Sequence, residues 1–287
     1  MRTVLRAFCL FVLCTAAGCS GLFFYPSRDL RPNPAVMLYA PDDVCFMADD
    51  GVILQGWFFP AANSRGSVLV LHGNADNISS HVNGVLWLVP AGFNVFIFDY
   101  RGYGASEGTP SLEGVQRDAE AALAELLKLP GVDPQRIVVL GQSLGGTIAV
   151  NLAATSPLRQ HVRLLVVDSA FASHRMIARE KLSQSCITWP LQYPLSFLVS
   201  DKFSPVDRIG EVSPIPVLIL HGLDDPIVPL RHGRLLYAAS REPRELWLSA
   251  RPGHVQSFGD PAVREQFVRY LDGILGNSVT GKSKNAQ

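Results

Sequence analysis

No sign of charge dominates this sequence: lysine and arginine number 25, and so do aspartate and glutamate. Without a net charge or a long run of one sign there is no basic face to neutralise phosphates, so nucleic acid is not expected as a partner. Metal-ligand spacings of the His-Glu-x-x-His or Cys-x-x-Cys kind are absent, and no metal or cofactor is expected. Cysteine is scarce, with five in the chain. Cys9, Cys14 and Cys19 fall at the N-terminus, which leaves Cys45 and Cys186. An oxidising compartment would permit these two to pair, but they are expected as buried free thiols. Internal repeats and an interdomain linker are also missing. What remains is a chain of 287 residues, 48% hydrophobic and 17% charged, which can bury a sizeable core and is not disordered. One domain, acting as a monomer, is the expectation.

The N-terminal stretch "MRTVLRAFCLFVLCTAAGCS" stands apart. Arg2 and Arg6 precede an apolar run from Ala7, and small residues follow as far as Cys19. This is the layout of a secretory signal over residues 1–18, and its apolar part is too short to span a bilayer comfortably. Ala16-Ala17-Gly18-Cys19 resembles a bacterial lipoprotein cleavage site, with Ala16 where that pattern usually has leucine. The resemblance implies lipidation of Cys19, and Ser20 after it implies retention on the periplasmic side of the outer membrane. An ordinary secretory signal or a short anchor is the alternative. Residues 19–40 then read as an N-terminal tether, residues 41–276 as the domain, and residues 277–287 as a flexible tail.

Short continuous apolar runs recur at residues 68–71, 95–98, 137–140, 164–167, 217–220 and 246–248. They do not alternate with polar residues, so they predict strands buried on both faces of a parallel sheet. Helical segments separate them, at residues 78–89, 112–129, 144–155, 230–239 and 261–275. Strand–helix alternation of this kind places helices on both faces of a mostly parallel central sheet. Ahead of it, "DDVCFMADDGVILQGWFF" predicts an antiparallel hairpin turning at Asp50-Gly51. Residues 171–214 are long for a connection and rich in aromatics and prolines, and predict a small helical cap.

In open α/β sheets ligands sit at the carboxyl ends of the strands. "LGQSLGG" puts Ser143 there, on a strand-to-helix turn flanked by glycines, which exposes a serine oxygen and leaves room around it. The amide of Leu144, at the helix start, can donate to a developing oxyanion. A serine hydroxyl needs a base. Of the seven histidines, His72 and His221 each precede a glycine after a strand and are expected to shape loops. His81, His161, His174 and His232 are expected on solvated surfaces. His254, in "LWLSARPGHVQSF", follows the last strand and precedes a helix, so it can reach over the sheet edge as the base. An acid must orient that ring. Asp168, Asp224 and Asp225 all stand near carboxyl ends of strands, so strand position does not choose among them; Pro226 holds Asp225 extended. Asp99, in "FDYRGYG", is expected to tie its own loop through Arg101 or backbone amides. "LVLHGNADN" follows another strand, and the Asn74 amide is the expected second oxyanion donor.

The order Ser143, Asp225, His254, with His72-Gly73-Asn74 ahead of it, resembles the α/β-hydrolase superfamily. "HGNADN", "FDYRGYGASEG", "GQSLGG" and "HGLDDPIVP" together are similar to the branch that contains serine-aminopeptidase-like bacterial hydrolases and eukaryotic protein depalmitoylases. The resemblance covers residues 40–275. It implies the α/β-hydrolase fold, and its spacing from the glycine of the His-Gly strand end selects Asp225 as the acid. It also implies hydrolysis of an ester, thioester or amide without naming the substrate. Two further matches are set aside. "GNSVTGKS", residues 276–283, fits the Walker A letters but lacks a strand before it and a helix after it. "GYGASEG" has the wrong glycine spacing for a dinucleotide loop.

The reading is a serine hydrolase acting on a small-molecule or acylated substrate, anchored to the membrane through an N-terminal lipid. Acyl transfer on the same triad, or a binding protein on a retired hydrolase fold, are the rivals. Trp189, Tyr193, Phe197 and Leu198 either form an apolar acyl pocket or pack the cap helices together.

Overall fold

The computed structural model describes residues 24–276. The signal segment, Cys19, the tail 277–287 and nearly all of the Walker-like match therefore lie outside the described residues. Eight strands form the central sheet: β1 (Asp42–Met47), β2 (Ile53–Phe59), β3 (Ser67–Leu71), β4 (Asn94–Asp99), β5 (Ile137–Gln142), β6 (Val162–Asp168), β7 (Val217–Gly222) and β8 (Arg244–Ser249). Their spatial order is β8-β7-β6-β5-β3-β4-β2-β1. β2 runs antiparallel to both β1 and β4, and every other pairing is parallel. Each apolar run singled out in the sequence lies in one of these strands. The predicted hairpin is β1–β2, and Gly51 takes the left-handed turn position with φ 85°.

Why the runs are continuous rather than alternating is visible in the core. Leu69, Leu71, Val139, Leu165, Val167 and Ile219 point into one apolar cluster. Their neighbours Val68, Val70, Val138, Leu140, Val166 and Leu218 point into another on the opposite face. A strand buried on both sides cannot afford a polar residue at either parity. The first cluster is closed by α3 (Leu112–Leu126), α4 (Leu144–Thr155) and α7 (Arg231–Ala239). The second is closed by residues 78–88 and by α8 (Pro261–Ile274), through Phe267 and Leu271. The expected helix over residues 78–89 is broken up. Only α2 (Ile78–His81) is α-helical, and two 3₁₀ turns, Val82–Gly84 and Leu86–Leu88, follow. Asn83-Gly84 is a poor helical pair, and the tighter turns still bury Val82, Leu86 and Leu88.

Residues 24–40, expected as tether, are laid along the domain. Phe24 is buried, Tyr25–Pro26 pair with Ala75–Asp76 as a two-residue bridge, and α1 (Pro34–Tyr39) packs through Ala35, Val36 and Tyr39. The Asn77 side-chain amide donates to the carbonyls of Ser27 (3.1 Å) and Asp29 (2.9 Å). The cap consists of α5 (His174–Ser183), α6 (Gln192–Ser196) and intervening 3₁₀ turns, as the sequence predicts for residues 171–214.

Candidate active site

Four loops meet at the carboxyl ends of the parallel strands, and each expected catalytic and oxyanion residue is on one of them. Ser143 follows β5 and caps α4. It is a non-glycine residue with φ 52° and ψ −115°, a region that costs an L-residue free energy and is kept where surrounding packing imposes it. The flanking glycines serve close approach rather than the turn itself. A Cβ on Gly145 would lie 2.0 Å from the Leu71 carbonyl oxygen, and one on Gly141 would lie 2.4 Å from the Gly145 oxygen. The absence of side chains there lets α4 start against β3 and presents Ser143 above the sheet. The Ser143 N–H donates to the Asp168 carbonyl at 2.9 Å, which ties the turn to β6. Leu144 N–H opens α4 and so has no carbonyl one turn earlier to bond.

His254 lies in the loop after β8, and its Nδ1 is 2.8 Å from Asp225 Oδ2. The other Asp225 oxygen accepts from the amides of Ile227 (2.8 Å) and Val228 (2.9 Å). Burial acts to raise the Asp225 carboxyl, but the His254 ring and these two amides outweigh it and hold it below the usual carboxylate range. An ionised carboxylate can only accept, so Nδ1 carries the hydrogen of this contact and Nε2 is the ring nitrogen turned away from Asp225. Asp224 is exposed. Asp168 is fully buried and its Oδ1 accepts from Ser257 (3.0 Å) and Ser169 (3.2 Å). Of the three candidate acids, the structure brings Asp225 to the histidine.

The loop after β3 carries Asn74. Tyr103 Oη donates to the Asn74 carbonyl (2.6 Å) and lies 3.0 Å from its side-chain oxygen, which also accepts from Tyr25 N–H at 3.0 Å. Tyr100 Oη donates to the His72 carbonyl at 3.0 Å. The asparagine side-chain oxygen is thus occupied in anchoring the loop. These tyrosines were not among the expected site residues. Their signal was "FDYRGYG", whose aspartate also acts outside its own loop: Asp99 accepts from Ile78 N–H at 2.9 Å and lies 3.4 Å from His72 Nε2. Arg101 instead bonds Asp118 and Asp50, joining α3 to the β1–β2 turn.

Three other expectations are corrected. His174 and His232 are buried rather than solvated: their imidazoles fill the base of the cap, where Ala172 N–H donates to His232 Nδ1 and Glu180 lies 3.0 Å from Nε2. His81 is not a plain surface residue either. It lines the same cavity as Ser143, stacks on His72 at 4.9 Å and lies 2.6 Å from the Ala75 carbonyl. Desolvation, with His72 beside it, lowers its pKa to about 4, so it is neutral at pH 7. Cys45 and Cys186 are free but exposed.

Ser143, Leu144, Asn74 and His254 border one cavity of about 1110 Å³ between the sheet and the cap. Its walls are largely aliphatic and aromatic, with Phe171, Ile177, Leu182, Leu195 and Val228 among them. Of the four cap residues considered as an acyl pocket, Leu198 lines it, whereas Trp189, Tyr193 and Phe197 face outward. No Asp or Glu is among the described lining residues, and no group of His, Cys, Asp and Glu among the described residues could hold a metal ion.

Residues 62–194 match the family model described as serine aminopeptidase, S33. YfhR of Escherichia coli K12 is 35% identical over 274 residues, covering 92% of this chain and 90% of YfhR. WAV2 of Arabidopsis thaliana, an alpha/beta hydrolase domain-containing protein, is 35% identical over 231 residues, covering 76% of this chain and 73% of its own. Among solved structures, the esterase Pf2001 of Pyrococcus furiosus superposes with a TM-score of 0.67 over 89% of this chain and 97% of its own, at 21% identity. With the strand order, the turn at Ser143 and these relatives together, the chain belongs to the α/β-hydrolase superfamily.

Proposed function

We propose that this hydrolase cleaves a carboxylic ester or thioester through an acyl-enzyme, with Ser143 as nucleophile, His254 as base and Asp225 as the acid that orients it. The observation that carries the reading is the 2.8 Å contact between His254 and Asp225, on the border of the cavity that also holds Ser143. His254 Nε2 takes the Ser143 proton as Oγ attacks the carbonyl carbon, and the imidazolium is stabilised by Asp225. Negative charge develops on the carbonyl oxygen, where the amides of Asn74 and Leu144 donate, each worth about 3 kcal/mol. The intermediate collapses, His254 returns the proton to the leaving alcohol or thiol, and the acyl group remains on Ser143. Water, deprotonated by the same nitrogen, then releases the acid.

Esters are favoured over aminoacyl amides on two grounds. Amides have the poorer leaving group, and the described cavity wall carries no carboxylate to hold a free amine. The test is Ser143→Ala with a fluorophosphonate probe. The wild-type chain is expected to label covalently and to hydrolyse short- to medium-chain esters faster than aminoacyl amides. The variant is expected to fold, to fall to near-background hydrolysis and not to label. Labelling retained in Ser143→Ala would move the nucleophile elsewhere, and dominant aminopeptidase turnover would reverse the choice of substrate.

A further inference from the structure

Between Leu182 and Ser200 the sequence has no Asp, Glu, Lys or Arg, yet this stretch of the cap lies at the surface. Ile187 is 81% exposed, Trp189 59%, Leu191 51%, Tyr193 58% and Phe197 65%. Large apolar side chains gathered in one uncharged surface run mark an interaction site. The inward side of this segment is accounted for, since Leu195, Leu198 and Val199 line the cavity. Its outward side carries Tyr193 and Phe197, with the guanidinium groups of Arg179 and Arg175 over their rings at 4.5 and 5.3 Å. Tryptophan and tyrosine interleaved with basic heads is the composition of surfaces that sit at the boundary between hydrocarbon and lipid headgroups.

The charge on α5 that no carboxylate neutralises is basic. α5 contributes Arg175, Arg179 and Lys181. Its own acid, Glu180, is buried and bonded to Arg231 and His232, and Asp201 is engaged by Ser173, Ser204 and Arg175. Arg179 and Lys181 have no carboxylate partner among the described residues, and Lys181 lies at the cavity. The mouth of the cavity is apolar as well. Tyr25, Leu198 and Ile227 are lining residues that are also 65%, 47% and 45% exposed. Tyr25 is held there by its N–H on the Asn74 side-chain oxygen at 3.0 Å.

We propose that the outer face of the cap and the rim of the cavity dock on an anionic lipid bilayer, which presents ester substrates to the cavity directly from the lipid phase. The docking does not depend on catalysis, whereas the delivery of an ester rests on the hydrolase reading. Apolar insertion and attraction between basic side chains and anionic headgroups both act on this one face.

The docking is read on the full chain carrying Ser143→Ala, mixed with vesicles of phosphatidylcholine and phosphatidylglycerol whose acyl chains are brominated. Bromine quenches only a tryptophan at the depth of the chains, so the signal reports orientation whether or not the N-terminus also tethers the protein. Quenching relative to unbrominated vesicles is expected, and Trp189→Phe should remove most of it. Phe197→Ser, at an exposed position outside the cavity, should weaken vesicle association about tenfold. In the otherwise wild-type chain Phe197→Ser should slow hydrolysis of a vesicle-borne ester by a similar factor and leave a soluble butyrate ester unaffected. Equal emission with brominated and unbrominated vesicles overturns the proposal, and so does a dimer in sedimentation that shields Trp189 in place of the bilayer. A chain that docks but hydrolyses neither ester leaves the docking standing and removes the hydrolase reading; one that hydrolyses the soluble ester without quenching does the reverse.

Discussion

Asp168 ends β6 and Asp225 follows the neighbouring β7, and their surroundings push their carboxyls in opposite directions. Asp225 keeps its charge through the His254 ring and two amides. Asp168 is raised to about 6, chiefly by complete burial, against weaker support from Ser257, His254 and Ser169. Asp225→Asn is expected to preserve the fold and lower kcat/KM by about 10³–10⁴-fold, because the imidazole loses its correct tautomer. Asp224→Asn and Asp168→Asn should each cost under about tenfold. Steady-state kinetics on the three variants, with circular dichroism as the folding control, checks this; an inactive Asp168→Asn would falsify the choice of acid. Asp168 has a second consequence. Its folded-state value of about 6 lies above an unfolded value of about 3.9. Between these two pH values the folded protein holds a proton that the unfolded chain has released. The stability it contributes is complete below the lower value and lost as pH rises through the upper one. Urea unfolding from pH 4 to pH 7 should therefore show a flatter pH dependence in Asp168→Asn than in the wild-type chain. An unchanged slope would place the titration elsewhere.

The strand–turn–helix from β5 to α4 depends on the absence of a side chain where two backbones meet. Adding one carbon at Gly145 would meet the Leu71 oxygen at 2.0 Å and the His72 oxygen at 2.5 Å, both of them backbone. Neither can rotate away, so α4 would have to shift, taking Leu144 N–H and Ser143 with it. Gly145→Ala is expected to lower the melting temperature and to reduce kcat/KM by about 10²-fold or more, the cost of a displacement near 1 Å at a reacting centre. Gly273→Ala is the contrasting case. It lies in α8, its added carbon would meet nothing within 4 Å, and alanine there should stabilise by roughly 0.5–1 kcal/mol without changing turnover. Thermal denaturation of the two variants side by side tests both. At this scale much was legible beforehand, since a serine between glycines after a buried run has few other uses. The breakup of residues 78–89 was not. Its apolar residues are helically spaced, and only the packing of Val82, Leu86 and Leu88 beneath the sheet shows that shorter turns bury them equally well.

For the molecule as a whole, the described residues contain no helix long and apolar enough to cross a membrane; the attachment we propose is through the N-terminal lipid and the cap. Cys19 is expected to carry a diacylglyceryl group in the mature chain. Mass spectrometry of the mature N-terminus checks it, and an unmodified chain beginning at any other residue would end the lipid-tether reading.

Which strands exist, that the central ones are buried on both faces, and that a serine, a histidine and several aspartates gather at their carboxyl ends were all written in local patterns, whereas the run at 246–248 forms a half-exposed edge strand. Apolar runs and glycine punctuation act over a few residues, and a linear reading sees that range. Other properties waited for the tertiary structure. Asp168, Asp224 and Asp225 all stand near carboxyl ends of strands, and only the course of the loop after β8 decides which carboxylate the His254 ring meets. Trp189, Tyr193, Phe197 and Leu198 share one composition, and only the seating of α6 on α5 sends Leu198 to the cavity and the other three toward solvent. His174 and His232 have polar sequence neighbours, yet cap contacts more than fifty residues away in the chain bury His232 against Glu180 and Ala172. Burial and orientation are set by what packs across the sheet, which no window along the chain contains.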